Sequence, residues 1–416
     1  MWDLCCSLIH SFPIIRFVKA AREYLDKDAW VFLLGVFVIS RLFFFGVGTA
    51  AAALLPQMPA DLSDHHRIPV DFFELWARWD GGWYMEIASH GYRLEMIDAT
   101  NFFPLYPLLI RSGTLLGGSP ALWGVLISLV ACFFAFFFLY RIANELWGEH
   151  TARATTLCFA FFPAAIFLNA VYTEALFVAL SAGSFWAARV RRNLLLAGVL
   201  GALAAATRNV GVLLLIPLAS EWLRNRREFG WRGLWLGLVP VGLLAYTAFL
   251  WSRFGDPFIG VVRQEITWGR RLQDPLTTLD RAWKEAGAGL KQVLDPAPIF
   301  LDQTTLGPSL DAGALLNFAL LMLFCLLLVA GVPLLPKGLW VYTLLVVLIP
   351  VLNPAARQAL ESIWRYELDA FAIFFVLGWI LSRAPLRRPT LWFWLLISGA
   401  IGAAEAALFV TGRWVV

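Results

Sequence analysis

Long apolar runs, separated by short polar or basic breaks, set the pattern of this chain. Several approach the roughly 18 to 22 residues that a helix needs to cross the hydrocarbon core. Read this way, spans fall near 29–55, 119–140, 153–171, 174–190, 193–207, 209–223, 233–252, 312–332, 338–352, 367–382 and 390–411. Short segments of alternating hydrophobicity, the mark of a membrane β-barrel, are absent. The expected fold class is therefore an all-α polytopic membrane protein with about eleven transmembrane helices. Two long segments, about 56–118 and 253–311, interrupt the series. Within the first, Phe102 to Leu116 (FFPLYPLLIRSGTLL) is apolar but broken by Pro104 and Pro107, and it reads as a re-entrant or interfacial helix. Ahead of the first span, Ile14, Ile15, Phe17, Val18, Ala21 and Leu25 share one helical face. Residues 1–28 thus read as an interfacial amphipathic helix, and 29–416 as the transmembrane domain.

Composition agrees with the pattern. Of the 416 residues 60% are hydrophobic and only 15% charged, with 34 Phe and 20 Trp; the mean hydropathy is +0.71. These values exclude an ordinary soluble domain, and a net charge of +4 carries no nucleic-acid signal. Of the five cysteines, Cys132, Cys158 and Cys325 lie in apolar runs as small hydrophobes, and no disulfide framework or zinc spacing is present. Cys5-Cys6, beside the amphipathic segment, are candidates for acylation.

Charge matters through its placement. With a cytoplasmic N-terminus, the short cytoplasmic segments hold Arg16, Lys19, Arg22, Lys27, Arg141, Arg153, Arg189, Arg191, Arg192, Arg224, Arg226, Arg227, Arg232, Lys337, Arg383, Arg387 and Arg388. The short loops opposite hold Arg208, Arg357 and Arg365. The positive-inside rule thus makes 56–118 a large first extracytoplasmic loop and puts 253–311 on the same side.

Four polar clusters then converge on that face: Asp80, Glu86 and His90; Tyr172, Thr173 and Glu174; Thr207, Arg208 and Asn209; and Arg365 with Tyr366. Ionisable groups at membrane depth are costly and tend to line cavities, and Arg41 inside the first span joins the candidates on that ground. A carboxylate able to accept the proton of an attacking hydroxyl, arginines suited to a phosphate leaving group and aromatic faces suited to sugars fit glycosyl transfer from a lipid-linked sugar phosphate. A site outside the cytoplasm lacks nucleotide sugars, which favours a membrane-carried donor.

The residues also carry a family likeness. RWDGGWYMEIASHGY (Arg78–Tyr92) with NFFPLYPLL (Asn101–Leu109) resembles the signature of the PIG-V family of mannosyltransferases. FPAAIFLNAVYTEALF (Phe162–Phe177), TRNVG (Thr207–Gly211) and WRY (Trp364–Tyr366) resemble its later blocks in the same order. The resemblance implies a GT-C-type fold, a polyprenyl-phosphate sugar donor and Asp80 as catalytic base; the acceptor, a lipid or glycan, is not carried over from the family, and the bilayer is the other expected partner. Donor-binding candidates are Arg41, Trp79, Trp83, Tyr84, Glu174, Arg208, Asn209, Arg365 and Tyr366. No sequence pattern assigns a metal, and a divalent cation stays an open cofactor. The absence of an Asn-x-Ser/Thr sequon favours a bacterial plasma-membrane protein.

Each candidate has a plainer reading. Asp80 before Gly81 and Gly82 can cap a helix; Trp79, Trp83 and Tyr84 can form an interfacial belt; Glu86 and His90, four apart, can pair with each other. Glu174 suits a helix N-terminus, and Arg208 and Arg365 can snorkel. Asp61, Asp64, His65 and His66 match no metal spacing and read as solvated loop. The rivals to an enzyme are a transporter or flippase of lipid-linked sugars, which would need charges reachable from both sides, and a non-catalytic subunit, which would not need Asp80.

Overall fold

The computed structural model describes residues 27–58, 69, 71–302, 307–383 and 387–415. The expected amphipathic helix before Lys27, Cys5-Cys6, and the loop residues Asp61, Asp64, His65 and His66 lie outside the described residues. Two long helices flank the first long inter-helix segment: α1 (Lys27–Leu54) and, after α2 (Asp80–His90) and α3 (Leu105–Thr114), α4 (Pro120–Trp147). The start of α4 is fixed locally. Ser119 Oγ accepts from Leu122 N at 3.2 Å, and Pro120 occupies the first turn, where a missing N–H costs nothing. The apolar 102–116 segment forms α3, packed beside α2 and α4.

After α4 the helices shorten: α5 (Glu149–Ala160), α6 (Glu174–Arg189), α7 (Leu194–Ala205), α8 (Leu215–Arg224) and α9 (Val241–Phe254). The second long segment is not a bare loop, since it carries α10 (Ile259–Trp268) and the 20-residue α11 (Pro275–Leu294). Then follow α12 (Gly307–Gly331), α13 (Lys337–Leu352), α14 (Ala372–Arg383) and α15 (Arg387–Val410). Among the described residues no strand occurs, so the all-α expectation holds. Five stretches are individually long and apolar enough to cross a membrane: Lys27–Leu54, Pro120–Trp147, Arg226–Phe254, Ser309–Gly331 and Arg388–Val410. Val31, Ile39 and Leu42 on α1 are exposed on the outside of the fold, as a lipid-facing surface permits.

Four of the eleven expected spans are broken, among them 233–252, which opens as a 3-10 helix, Gly230–Leu238, before α9. Helix α5 stops before Phe162-Pro163, because proline has no N–H to continue the ladder; Pro163–Leu168 forms a 3-10 turn instead. The expected 209–223 span opens as a 3-10 turn, Asn209–Leu214, before α8. The expected 367–382 span opens as Glu367–Asp369, with a break at Ala370 before α14. Irregular backbone at membrane depth survives only where protein or a water-filled cavity satisfies it.

Arg41 satisfies the first break. This residue of α1 is 3% exposed, and its guanidinium donates to Ala160 O at 2.9 Å, Ala165 O at 2.9 Å and Asn169 Oδ1 at 2.5 Å. It thus supplies donors to a carbonyl at the end of α5 and to one in the 3-10 turn that follows. Close packing completes the core. A side chain at Gly378 of α14 would meet the Thr155 backbone of α5 at 2.7 Å, so the two helices touch through backbone.

Candidate active site

The stretch before α2 is stitched to the stretch before α6. Val171 N donates to Trp76 O at 2.8 Å, and Tyr172 Oη donates to Arg78 O at 3.1 Å. Arg78 in turn donates to Val410 O at 2.7 Å. Gly81 lies so close to Val171 that a Cβ would stand 3.3 Å from its carbonyl oxygen. Between these anchors Trp79 adopts φ +53, a left-handed conformation that a bulky residue holds only when its surroundings impose it. The strained turn sets Asp80 at the first position of α2, facing the start of α6.

Five side chains there alternate in charge. Asp80 Oδ2 accepts from Arg365 Nη1 at 2.6 Å. Arg365 Nε lies 3.2 Å from Glu174 Oε1, and the same oxygen accepts from Arg208 Nη1 at 2.9 Å. Arg208 Nε lies 3.1 Å from Asp369 Oδ2. Glu174 and Asp369 are almost fully buried, whereas Asp80 is 24% exposed at its side chain. The internal carboxylates therefore compensate the buried arginines, and Asp80 is the acid that also faces open space. Thr173 Oγ1 accepts from Arg208 at 3.3 Å and lies 3.3 Å from Tyr84 Oη.

These groups line a cavity of about 190 Å³ together with Asn209, Trp268, Arg270, Glu361, Tyr366 and Trp414. The ring of Tyr366 is its hub. Arg208, Arg365 and Arg270 stand 5.0, 5.0 and 5.7 Å from the ring centroid. Burial raises the Tyr366 hydroxyl, but Arg270, Arg365 and Arg208 more than offset it, and the hydroxyl ends below the ordinary tyrosine value. Burial holds the Glu361 carboxyl above its usual range, with Arg270 and Arg357 opposing the shift.

Of the residues expected at a site, Asp80, Tyr84, Glu174, Arg208, Asn209, Arg365 and Tyr366 line this cavity. Trp79 instead meets Trp414 edge-on at 4.8 Å, and Trp83 stacks on Phe102 at 5.6 Å. Arg41 is not among the lining residues; it is engaged with Ala160, Ala165 and Asn169 at the α5 break. Glu86 bonds His90 at 2.8 Å and Arg93 at 2.5 Å, the plainer structural pairing. Sequence reasoning missed Asp369, Glu361, Trp268 and Arg270. Asp369 follows the Trp-Arg-Tyr block by three residues, a usable signal; Glu361 and Arg270 stand on loops and Trp268 ends α10, and no periodicity shows their approach. Among the described residues no group of three or more His, Cys, Asp or Glu is placed to hold a metal ion.

Residues 33–219 match the family described as Mannosyltransferase (PIG-V). GPI mannosyltransferase 2 of Aspergillus fumigatus is 29% identical over 208 residues, 45% of this chain and 42% of that protein. GPI alpha-1,6-mannosyltransferase 2 of Homo sapiens is 35% identical over 116 residues, 25% of this chain and 23% of that protein. The matches thus span less than half the length of these curated relatives. Among solved structures, ArnT from Cupriavidus metallidurans in the apo state aligns with a TM-score of 0.52 at 14% identity, covering 91% of this chain and 64% of that one. The chain therefore shares a GT-C-type fold with that structure, and over residues 33–219, less than half of its length, it is similar to the mannosyltransferase (PIG-V) family.

Proposed function

We propose that the protein is a membrane mannosyltransferase that moves mannose, or another hexose, from a polyprenyl-phosphate donor to a lipid or glycan acceptor. The relatives named above as mannosyltransferases support the class of reaction. The observation that carries the reading is the cavity in which a partly exposed carboxylate, Asp80, stands at the end of an arginine–carboxylate chain. In the proposed step an acceptor hydroxyl gives its proton to Asp80, and its oxygen attacks the anomeric carbon. The bond from that carbon to the phosphate oxygen breaks, and polyprenyl phosphate leaves with the electron pair. Arg365 holds Oδ2 of Asp80, which leaves Oδ1 for the acceptor proton. Cavity arginines stabilise the negative charge that grows on the phosphate, and Trp268 and Trp414 offer apolar faces to sugar or tail. A single displacement predicts inversion at the anomeric carbon.

The active site faces outside the cytoplasm in this reading, with positive charge on the opposite loops as support. The cavity collects the start of α6, the end of α7 and the end of α13, which alternating helices bring to one side. A transporter would need polar groups open to both.

The test supplies membranes carrying the protein with radiolabelled polyprenyl-phosphate mannose and compares the wild type with Asp80→Asn. Loss of general-base catalysis predicts a rate lower by about a hundredfold or more with the protein still folded. Equal transfer by the variant removes Asp80 from its role.

A further inference from the structure

The three arginines of the cavity are unequally neutralised. Arg365 contacts the carboxylates of Asp80 and Glu174. Arg208 contacts those of Glu174 and Asp369. An anion arriving at either must compete with two resident carboxylates. Arg270 differs. Its Nη1 donates to Asn353 O at 3.2 Å and its Nη2 to Glu361 O at 3.3 Å, and both acceptors are uncharged carbonyls. The Glu361 carboxylate is felt electrostatically by Arg270 but makes no ion-pair contact with it among the described residues. Yet Arg270 lines the same cavity and stands over the same Tyr366 ring.

The loop that carries Arg270 is built for one position. Gly269 takes φ +62, and a Cβ there would come within 2.4 Å of the Ala356 side chain, so glycine allows the two loops to touch. Ala356 N donates to Trp268 O at 2.9 Å, and Gln273 N donates to Leu352 O at 2.9 Å. Arg281 of α11 ties the far side, donating to Ala355 O at 2.9 Å and Ala356 O at 2.7 Å. Arg270 is thus held at the cavity by backbone on both flanks.

We propose that Arg270 receives the phosphoryl group of the lipid-linked donor and keeps hold of it as the leaving group. Arg208 and Arg365 serve instead as positioning residues that fix Asp80 and Glu174. The assignment rests on the transfer reaction proposed above and changes which arginine meets the phosphate.

The experiment measures binding of polyprenyl phosphate, neutral polyprenol and inorganic phosphate to the purified full chain. The wild type is expected to favour polyprenyl phosphate over polyprenol at least about tenfold, as a charge-assisted contact gives. Arg270→Gln should weaken polyprenyl phosphate by about tenfold to a hundredfold and leave polyprenol unchanged. Arg271→Gln is the control, because Arg271 is exposed and pairs with Glu265 at 2.8 Å. Phenylglyoxal labelling of the wild type gives a readout that needs no variant: polyprenyl phosphate, but not polyprenol, should protect Arg270.

Equal binding by Arg270→Gln, an unprotected Arg270, or a wild type indifferent to the phosphate overturns the proposal. Inorganic phosphate competing as well as the lipid also overturns it, because the site would then take a free anion. Failure of sugar transfer with phosphate-dependent lipid binding intact removes the proposed reaction and leaves the Arg270 assignment standing.

Discussion

Arg365 and Asp80, 285 residues apart in sequence, share a 2.6 Å hydrogen bond at the mouth of the α2 turn. The same guanidinium touches Glu174 at 3.2 Å and reaches Tyr366 Oη at 3.3 Å. A planar fork can serve several such partners at once, and the single ammonium of lysine cannot. Arg365→Lys should therefore keep the positive charge and lose the orientation of Asp80. Transfer should fall by about tenfold to a hundredfold, chiefly in kcat, and a rate equal to wild type would show that Asp80 needs no such support.

Glu174 is the counter-ion shared by both buried arginines, and it is itself 1% exposed. Glu174→Gln leaves positive charges buried without their compensation. Breaking a buried pair from one side costs about 3–5 kcal/mol. Thermal unfolding in detergent should show a large fall in Tm. An unchanged Tm would mean that water or Asp369 takes over the pairing.

Arg41 donates to Ala160 O, Ala165 O and Asn169 Oδ1, which predicts an effect on the fold. Arg41→Leu should orphan the carbonyls of Ala160 and Ala165 as well as the Asn169 side chain, with a loss of about 2–5 kcal/mol. Molecules that still fold should retain the wild-type KM for the donor. A raised KM with unchanged stability would return Arg41 to the binding site.

Glu361 supplies a pH dependence. Burial holds its carboxyl above the ordinary value, so ionisation costs more in the folded state than in the unfolded one. That penalty is present at pH above the raised folded value and vanishes below the unfolded value of about 4.3. Glu361→Gln should thus be more stable than wild type at pH 7, with the difference closing toward pH 4. Melting curves across that window check it, and a gap that widens on acidification contradicts the sign.

Orientation is open to a direct measurement. Reporter fusions at residues 65 and 227 should report opposite sides of the membrane, with 65 outside the cytoplasm. Both on one side would break the charge-based topology.

Much of this protein could be read from local pattern. Apolar length alone marks α1, α4, α12 and α15, since a membrane helix satisfies its backbone internally and declares itself by hydrophobicity. The polar blocks around Asp80, Glu174, Arg208 and Arg365 stand out against that background because charge at membrane depth is expensive. Local pattern failed where a segment is apolar but not continuous. Pro163 explains one break, yet nothing local shows that Arg41, more than a hundred residues earlier, pays for it. Nor does spacing show which arginines are already neutralised. Arg208 and Arg365 read as phosphate ligands or snorkelling side chains, and only folding brings Glu174 between them and Asp369 and Asp80 to the flanks. Arg270 attracted no notice in a long loop and becomes a cavity residue through backbone contacts with 352–356. Sequence by itself determined the solvent, the helices and the cost of each charge, because these depend on neighbours along the chain. Only the tertiary structure decided the pairing of charges, because Coulomb energy and desolvation depend on distances and burial that the fold alone creates.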